Sequence, residues 1–270
     1  MKHLPNLLTL ANLLCGCIAI AYILSAQPYL IMSLQNGGLP SWQWVYGAEQ
    51  MYIGSIFIAI AAICDMLDGM AARALRVFSP IGKDLDSLAD VVSFGVAPSV
   101  IIFKLLWDAQ MAEKNAFDVS MIGMVPAFLI ACFAALRLAK YNITATEQKS
   151  YFIGMPVPAV GIFVGSFPLI MWFCSGKVHH FFASCLQNKW VLYLIIGILC
   201  WLMVSGVKFI KMIPAKWNIT NSWPHLVLVI AGGILIPLLS YAAIPIEFAL
   251  YVLLSFIYKQ PGTIANNDSQ

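Results

Sequence analysis

The stretch Met51–Arg76, MYIGSIFIAIAAICDMLDGMAARALR, decides the architecture. It starts as a long apolar run and ends on Asp65, Asp68, Arg73 and Arg76. About 20 apolar residues in a helix cross the hydrocarbon core of a bilayer, so this run is long enough to span. A carboxylate at membrane depth is costly and marks a functional position by default. The stretch therefore reads as a membrane helix with acids at one end.

Working outward, apolar runs of comparable length recur near residues 8–33, 84–107, 120–142, 155–174, 189–212, 224–241 and 243–258. Of the 270 residues, 61% are hydrophobic and only 10% are charged. Soluble domains carry roughly 25% charged residues, so a soluble globule is excluded. The expected fold is all-α: a polytopic membrane helical bundle of about eight transmembrane helices, with about six as the lower bound. It divides into a membrane domain at 1–215, a C-terminal transmembrane hairpin at 216–260 and a tail at 261–270. Ser240 and Pro245 split the hairpin, and the polar, Asn-rich tail is expected to be disordered.

The formal charge of +3 is too small and too dispersed for nucleic acid. Seven cysteines contain no C-x-x-C pair and read as small hydrophobes between helices. The apolar stretch after Lys2 outruns a signal peptide and no small-residue cleavage site closes it, so it is expected to stay as the first helix. With the N-terminus in the cytoplasm, eleven lysines and arginines fall inside and four outside (Lys104, Lys114, Lys177 and Lys189). The positive-inside rule then predicts that Arg73, Arg76 and Lys83 face the cytoplasm, and the loops at 35–50 and 108–119 face outside.

Five acids gather between residues 65 and 90: Asp65, Asp68, Asp84, Asp86 and Asp90. Asp65, Asp68, Ala72 and Arg73 share one helical face, and Gly82, Asp86 and Asp90 repeat at every fourth residue. Ser79-Pro80 is expected to turn the chain back between the two stripes. Asp84 fits neither stripe and reads as an exposed loop charge. Facing carboxylates repel unless cations lie between them, and hard oxygen ligands suit Mg²⁺ or Mn²⁺. Gly69 and Gly82 leave room for a nucleotide or pyrophosphate to approach the backbone, and Arg73 offers a planar fork for phosphate oxygens. A buried ion-pair network between helices is the competing reading. Four acids facing one arginine balance poorly in that role.

The arrangement Asp65-x2-Asp68-Gly69-x2-Ala72-Arg73-x8-Gly82-x3-Asp86-x3-Asp90 resembles the signature of the CDP-alcohol phosphatidyltransferase family at all eight positions. The resemblance extends over residues 1–215. It implies that Asp65, Asp68 and Asp86 hold one divalent cation, and that Asp65, Asp86 and Asp90 hold a second. It also implies that Asp90 is the catalytic base, and that Asn12, Asp68, Gly69, Ala72, Arg73 and Gly82 bind the CDP-lipid. The opening Leu4-Pro5-Asn6-Leu7-Leu8-Thr9-Leu10-Ala11-Asn12 looks like the family's first helix. Its polar residues either cover the nucleotide or hydrogen-bond between helices.

Residues 91–98, Arg137-Leu138-Ala139-Lys140-Tyr141-Asn142 and 152–158 look like the phosphatidylserine synthase branch. That branch uses CDP-diacylglycerol as donor and L-serine as acceptor. Arg137 and Lys140 are then candidates for binding serine or phosphate, or else positive-inside anchors. Lys140 stands where the branch has a second arginine, which keeps charge and loses the bidentate fork. Glycerol phosphate or an inositol phosphate as acceptor stays open, as does a cation transporter built on the same acids. The resemblance further implies a homodimer; a bacterial-type inner membrane is expected, with the active site toward the cytoplasm as the positive-inside count requires. Lys208 and Lys211 read as snorkelling anchors. His3, His179, His180 and His225 lie away from the acids in sequence, and the terminal hairpin carries nothing specific.

Overall fold

The computed structural model describes residues 4–26, 29–33, 41–45, 48–75, 80–111, 120–144, 151–173, 175–210 and 219–258. The expected tail at 261–270 and Ser79, Arg76, Lys114, Lys149, Lys211, Lys216 and Lys259 lie outside them.

Helix α1 (Leu4–Ser25) buries Pro5, Thr9, Asn12, Gly16, Ala19 and Ile23. These alternate at spacings of four and three, one stripe of a helix, and the stripe is polar and small rather than bulky. It packs along α2 (Ala48–Leu75). A Cβ on Gly54 would stand 2.6 Å from Cγ1 of Ile23, so only glycine allows that approach. Close backbone approach through small residues is how helices associate where lipid supplies no hydrophobic drive.

Helix α3 (Pro80–Asp90) opens on Pro80, whose missing N–H costs nothing at a first helical position. Val91–Val96 then widens into a π-helical turn before α4 (Ala97–Met111). After it come the short α5 (Met121–Met124), α6 (Leu129–Thr144), α7 (Val157–Phe173), α8 (Gly176–Leu186) and α9 (Lys189–Val204). Helices α10 (Ile219–Leu239) and α11 (Ala243–Ile257) pack on each other as a hairpin. The chain turns at Ser240, whose φ is +51°.

By length and composition, five helical stretches can cross a membrane: Leu4–Ser25, Gln50–Leu75, Ile81–Met111, Met121–Thr144 and Trp223–Ile257. The α8–α9 pair, bent by 81°, makes up to six. Two features separate that number from the expected eight. Helix α7 is apolar but has 17 residues, and the C-terminal run counts once although it folds back at Ser240. The architecture is an all-α polytopic membrane bundle.

Two short antiparallel ladders depart from the all-helical expectation. Strands β1 (Tyr29–Ser33) and β2 (Ser41–Val45) pair, so the first helix stops at Ser25 instead of running to 33. Strands β3 (Tyr151–Ile153) and β4 (Lys208–Ile210) also pair, with Phe152 opposite Phe209. The sixth run therefore ends at Val204 rather than 212, where Ser205 leaves helical geometry with ψ 150°. Lys208 sits in a strand with its Nζ 4.6 Å from the Tyr151 ring centroid, and is not a helix-end anchor.

Candidate active site

The two acidic stripes meet. Asp65 and Asp68 stand on α2, and Asp86 stands on α3. One carboxylate oxygen from each of the three lies within 4.8 Å of the others. The carboxyl groups of Asp65 and Asp86 are within hydrogen-bonding reach. Asp86 Oδ1 is buried with no hydrogen-bond partner. Three carboxylates this close repel, and an orphaned buried oxygen is costly, unless a cation is shared among them. Oxygen ligands alone suit Mg²⁺ or Mn²⁺, so these residues fit a divalent metal ion.

Asp90 closes the same stripe one turn beyond Asp86 and is buried, close enough to Asp65 and Asp86 to feel their charge. Its position is fixed from α1. Asn12 Nδ2 donates to Asp90 Oδ1 at 3.3 Å, and Ser93 Oγ donates to the Asn12 carbonyl at 3.0 Å. Gly16 leaves the space that Ser93 enters. Gly161 does the same for Phe94, since a Cβ there would be 2.9 Å from the Phe94 Cβ. The π-helical turn after Asp90 is thus gripped by α1 on one side and α7 on another. Such turns are rare and frequent at functional sites.

Thr9 Oγ1 donates its single proton to Asp68 Oδ2 at 2.7 Å, with the Pro5 carbonyl at 3.0 Å as the alternative acceptor one turn back. Of the two readings of the first helix, hydrogen bonding between helices is the one seen for Thr9 and Asn12. Asn12 Oδ1 remains buried without a partner, an acceptor not used by the protein. Sequence alone groups Thr9 with Asn6 and Asn12 but does not single it out as the partner of Asp68. Its signal was there: a polar residue three positions before Asn12 in an otherwise apolar helix.

At the rim, Gly69 is open: a methyl group in place of its hydrogen would meet nothing closer than Arg73 Nη2, 4.0 Å away. Arg73 is exposed and curls back, its Nε donating to the Gly69 carbonyl at 3.0 Å. Ala72 and Gly82 are half-buried. Asp84 is exposed as expected but lies on α3, not in a loop. Lys83 Nζ donates to the Asn142 carbonyl and Asn142 Nδ2 donates to Ser87 Oγ, each at 2.8 Å, tying α3 to α6.

Arg137 is not at the exposed end of its helix. It is only 5% exposed, with Nε unpartnered, and lies against the rings of Tyr141 and Phe152 at 5.1 and 5.7 Å. It also feels the charge of Asp90. A simple anchor at the membrane surface would not be buried. Lys140, on the same helix, is exposed. His180 is exposed, and His225 lines a cavity beside Glu247, away from the acids.

A family model for CDP-alcohol phosphatidyltransferases matches residues 2–201. The chain is 30% identical over 177 residues to the CDP-diacylglycerol–serine O-phosphatidyltransferase of Helicobacter pylori, covering 64% of this chain and 68% of that protein. The protein of the same name from Bacillus subtilis is 29% identical over 209 residues, 77% of this chain and 90% of the relative. That of Methanocaldococcus jannaschii is 34% identical over 154 residues, 57% and 62% respectively. The matched region holds all eight signature residues, with three of its acids drawn together, and the chain belongs to the CDP-alcohol phosphatidyltransferase family.

Proposed function

We propose that this chain transfers the phosphatidyl group of CDP-diacylglycerol to the hydroxyl of L-serine, giving phosphatidylserine and CMP. The observation that carries the reading is the convergence of Asp65, Asp68 and Asp86 beside buried Asp90 and buried Arg137. The names its relatives carry support serine as acceptor.

In this reading Asp65, Asp68 and Asp86 hold one divalent cation, Mg²⁺ or Mn²⁺, and Asp65, Asp86 and Asp90 hold a second. Bound there, such ions neutralise the pyrophosphate and the charge that develops on departing CMP. Gly69, Ala72 and Gly82 leave the backbone approachable, Arg73 pairs with phosphate oxygens, and Asn12 Oδ1 accepts from the nucleotide. Arg137 pairs with the serine carboxylate or a lipid phosphate, and stacking on Tyr141 and Phe152 keeps its fork oriented. Asp90 takes the serine hydroxyl proton. The serine oxygen forms the new bond to the lipid-side phosphorus while the anhydride bond to CMP breaks, and CMP leaves with that electron pair. Lys140, being exposed, serves at most at the entrance.

The catalytic domain is residues 1–215, followed by the hairpin at 216–260, in a homodimer of an inner membrane of bacterial type. Its acidic end faces the cytoplasm, in line with eleven basic residues on that side against four. Single cysteines placed at 73–83 should be labelled from the cytoplasmic side; labelling only from outside reverses the orientation.

The test of function is an acceptor competition. Purified protein, CDP-diacylglycerol and metal are mixed with serine, glycerol phosphate and an inositol phosphate. Phosphatidylserine should dominate, with one CMP released per lipid formed. A different dominant lipid removes serine and keeps the transferase. No CMP release removes both.

A further inference from the structure

We propose that Tyr251 of the C-terminal hairpin is a positioning residue for Arg137, acting through the β3–β4 ladder. The inference rests on the reading of Arg137 as the group that binds the serine carboxylate or a lipid phosphate. The family match ends at residue 201, before β4 and both hairpin helices, so nothing in that match assigns the hairpin a part in the reaction.

A buried guanidinium is held by the faces it stacks on. Tyr141 is one turn further along the same helix, so it fixes the Arg137 rotamer. Phe152 comes from β3 and fixes where the group lies relative to the rest of the bundle. A strand of three residues has too few bonds to hold itself. It is held by β4, where Phe209 is the partner of Phe152. Strand β4 has its other support from α11. The Tyr251 ring stacks on Phe209 with centroids 5.9 Å apart and planes 29° apart. Its hydroxyl donates to the Ile210 carbonyl at 2.9 Å. Ser255 Oγ accepts from the Ile210 N–H at 3.4 Å and donates to the Tyr251 carbonyl at 2.8 Å. Both backbone groups of Ile210 are thus satisfied by one face of α11. Tyr251 and Arg137 are also near enough to interact electrostatically. The contacts run unbroken from the hairpin to the guanidinium.

The experiment is a double-mutant cycle in the full chain, using Tyr251→Phe, Arg137→Ala and the pair. Tyr251→Phe keeps the ring and removes only the bond to Ile210. Two quantities are read, kcat/KM for serine and the dissociation constant of CDP-diacylglycerol, so a variant too slow to assay still reports. Tyr251→Phe alone should weaken whichever quantity Arg137→Ala weakens, by about fivefold. Added to Arg137→Ala it should change that quantity by less than about twofold, because the group it positions is gone. Ser255→Ala should show the same coupling with a smaller effect. Equal losses in both backgrounds, or no loss from Tyr251→Phe alone, overturn the positioning role. If Arg137→Ala itself changes neither quantity, the proposed role of Arg137 fails, and the inference falls with it.

Discussion

The acidic corner of the site and its arginine corner are built in opposite ways. Asp65, Asp68 and Asp86 come from two helices next to each other in the chain, and their oxygens converge within 4.8 Å. The only hydrogen bond to Asp68 from another helix among those described comes from Thr9. Arg137 instead lies against rings from α6 and β3, and β3 is backed in turn by β4 and α11. Like charges brought together store repulsion that a cation relieves. A guanidinium on ring faces needs no ion to hold its place. The first corner is completed by what it binds, and the second is set before anything binds.

That contrast can be broken most severely at the converging aspartates. Asp65→Asn or Asp86→Asn should lower turnover by about a thousandfold or more, since in the proposed reading each removes a ligand shared by both ions. Chelation should do the same reversibly, read as CMP release before and after metal is restored. Unchanged turnover under chelation would refute the two-metal reading. Asp90→Asn sharpens the point: turnover should fall about a hundredfold or more, with CDP-diacylglycerol binding reduced far less. Near-normal turnover there would move the base elsewhere.

The smallest expected effect is at Thr9. Thr9→Val removes the bond that orients Asp68 and keeps the shape of the side chain. Partners that orient a metal ligand are worth about 10–100-fold in metal affinity. A shift of about tenfold in the metal concentration for half-maximal activity is expected, with little change at saturating metal. A loss that saturating metal does not repair would place Thr9 in substrate binding or folding.

The acidic corner was legible because helical spacing is written in the sequence. Residues 65 and 68, and residues 82, 86 and 90, announce their faces without knowledge of anything distant. The arginine corner was only half legible. Arg137 could be named, but it lies against Phe152, whose strand is held by residues 209 and 251, and no local pattern connects these positions. Strands β3 and β4 have three residues each, too few to show alternation. The role of the hairpin was missed for the same reason. Tyr251 in an apolar helix reads as packing until its hydroxyl is seen on Ile210. Span ends were misplaced where hydropathy continued past Ser25 and Val204 although the backbone did not.

The π-helical turn Val91–Val96 has a consequence for anyone altering this chain. The amide of Ala97 bonds to the carbonyl of Val92, five residues back instead of four. Each residue of an α-helix advances about 100° around the axis. A helical wheel drawn through 80–111 as one regular helix therefore puts α4 out of phase with the aspartates by about one residue. Deleting a single residue between 91 and 96 would shorten the helix by only about 1.5 Å. Its larger effect would be local: the extra residue would be gone, the turn could close as regular α-helix with Ile101 and Leu105 near their present neighbours, and the widening that seats Ser93 and Phe94 against Gly16 and Gly161 would be lost.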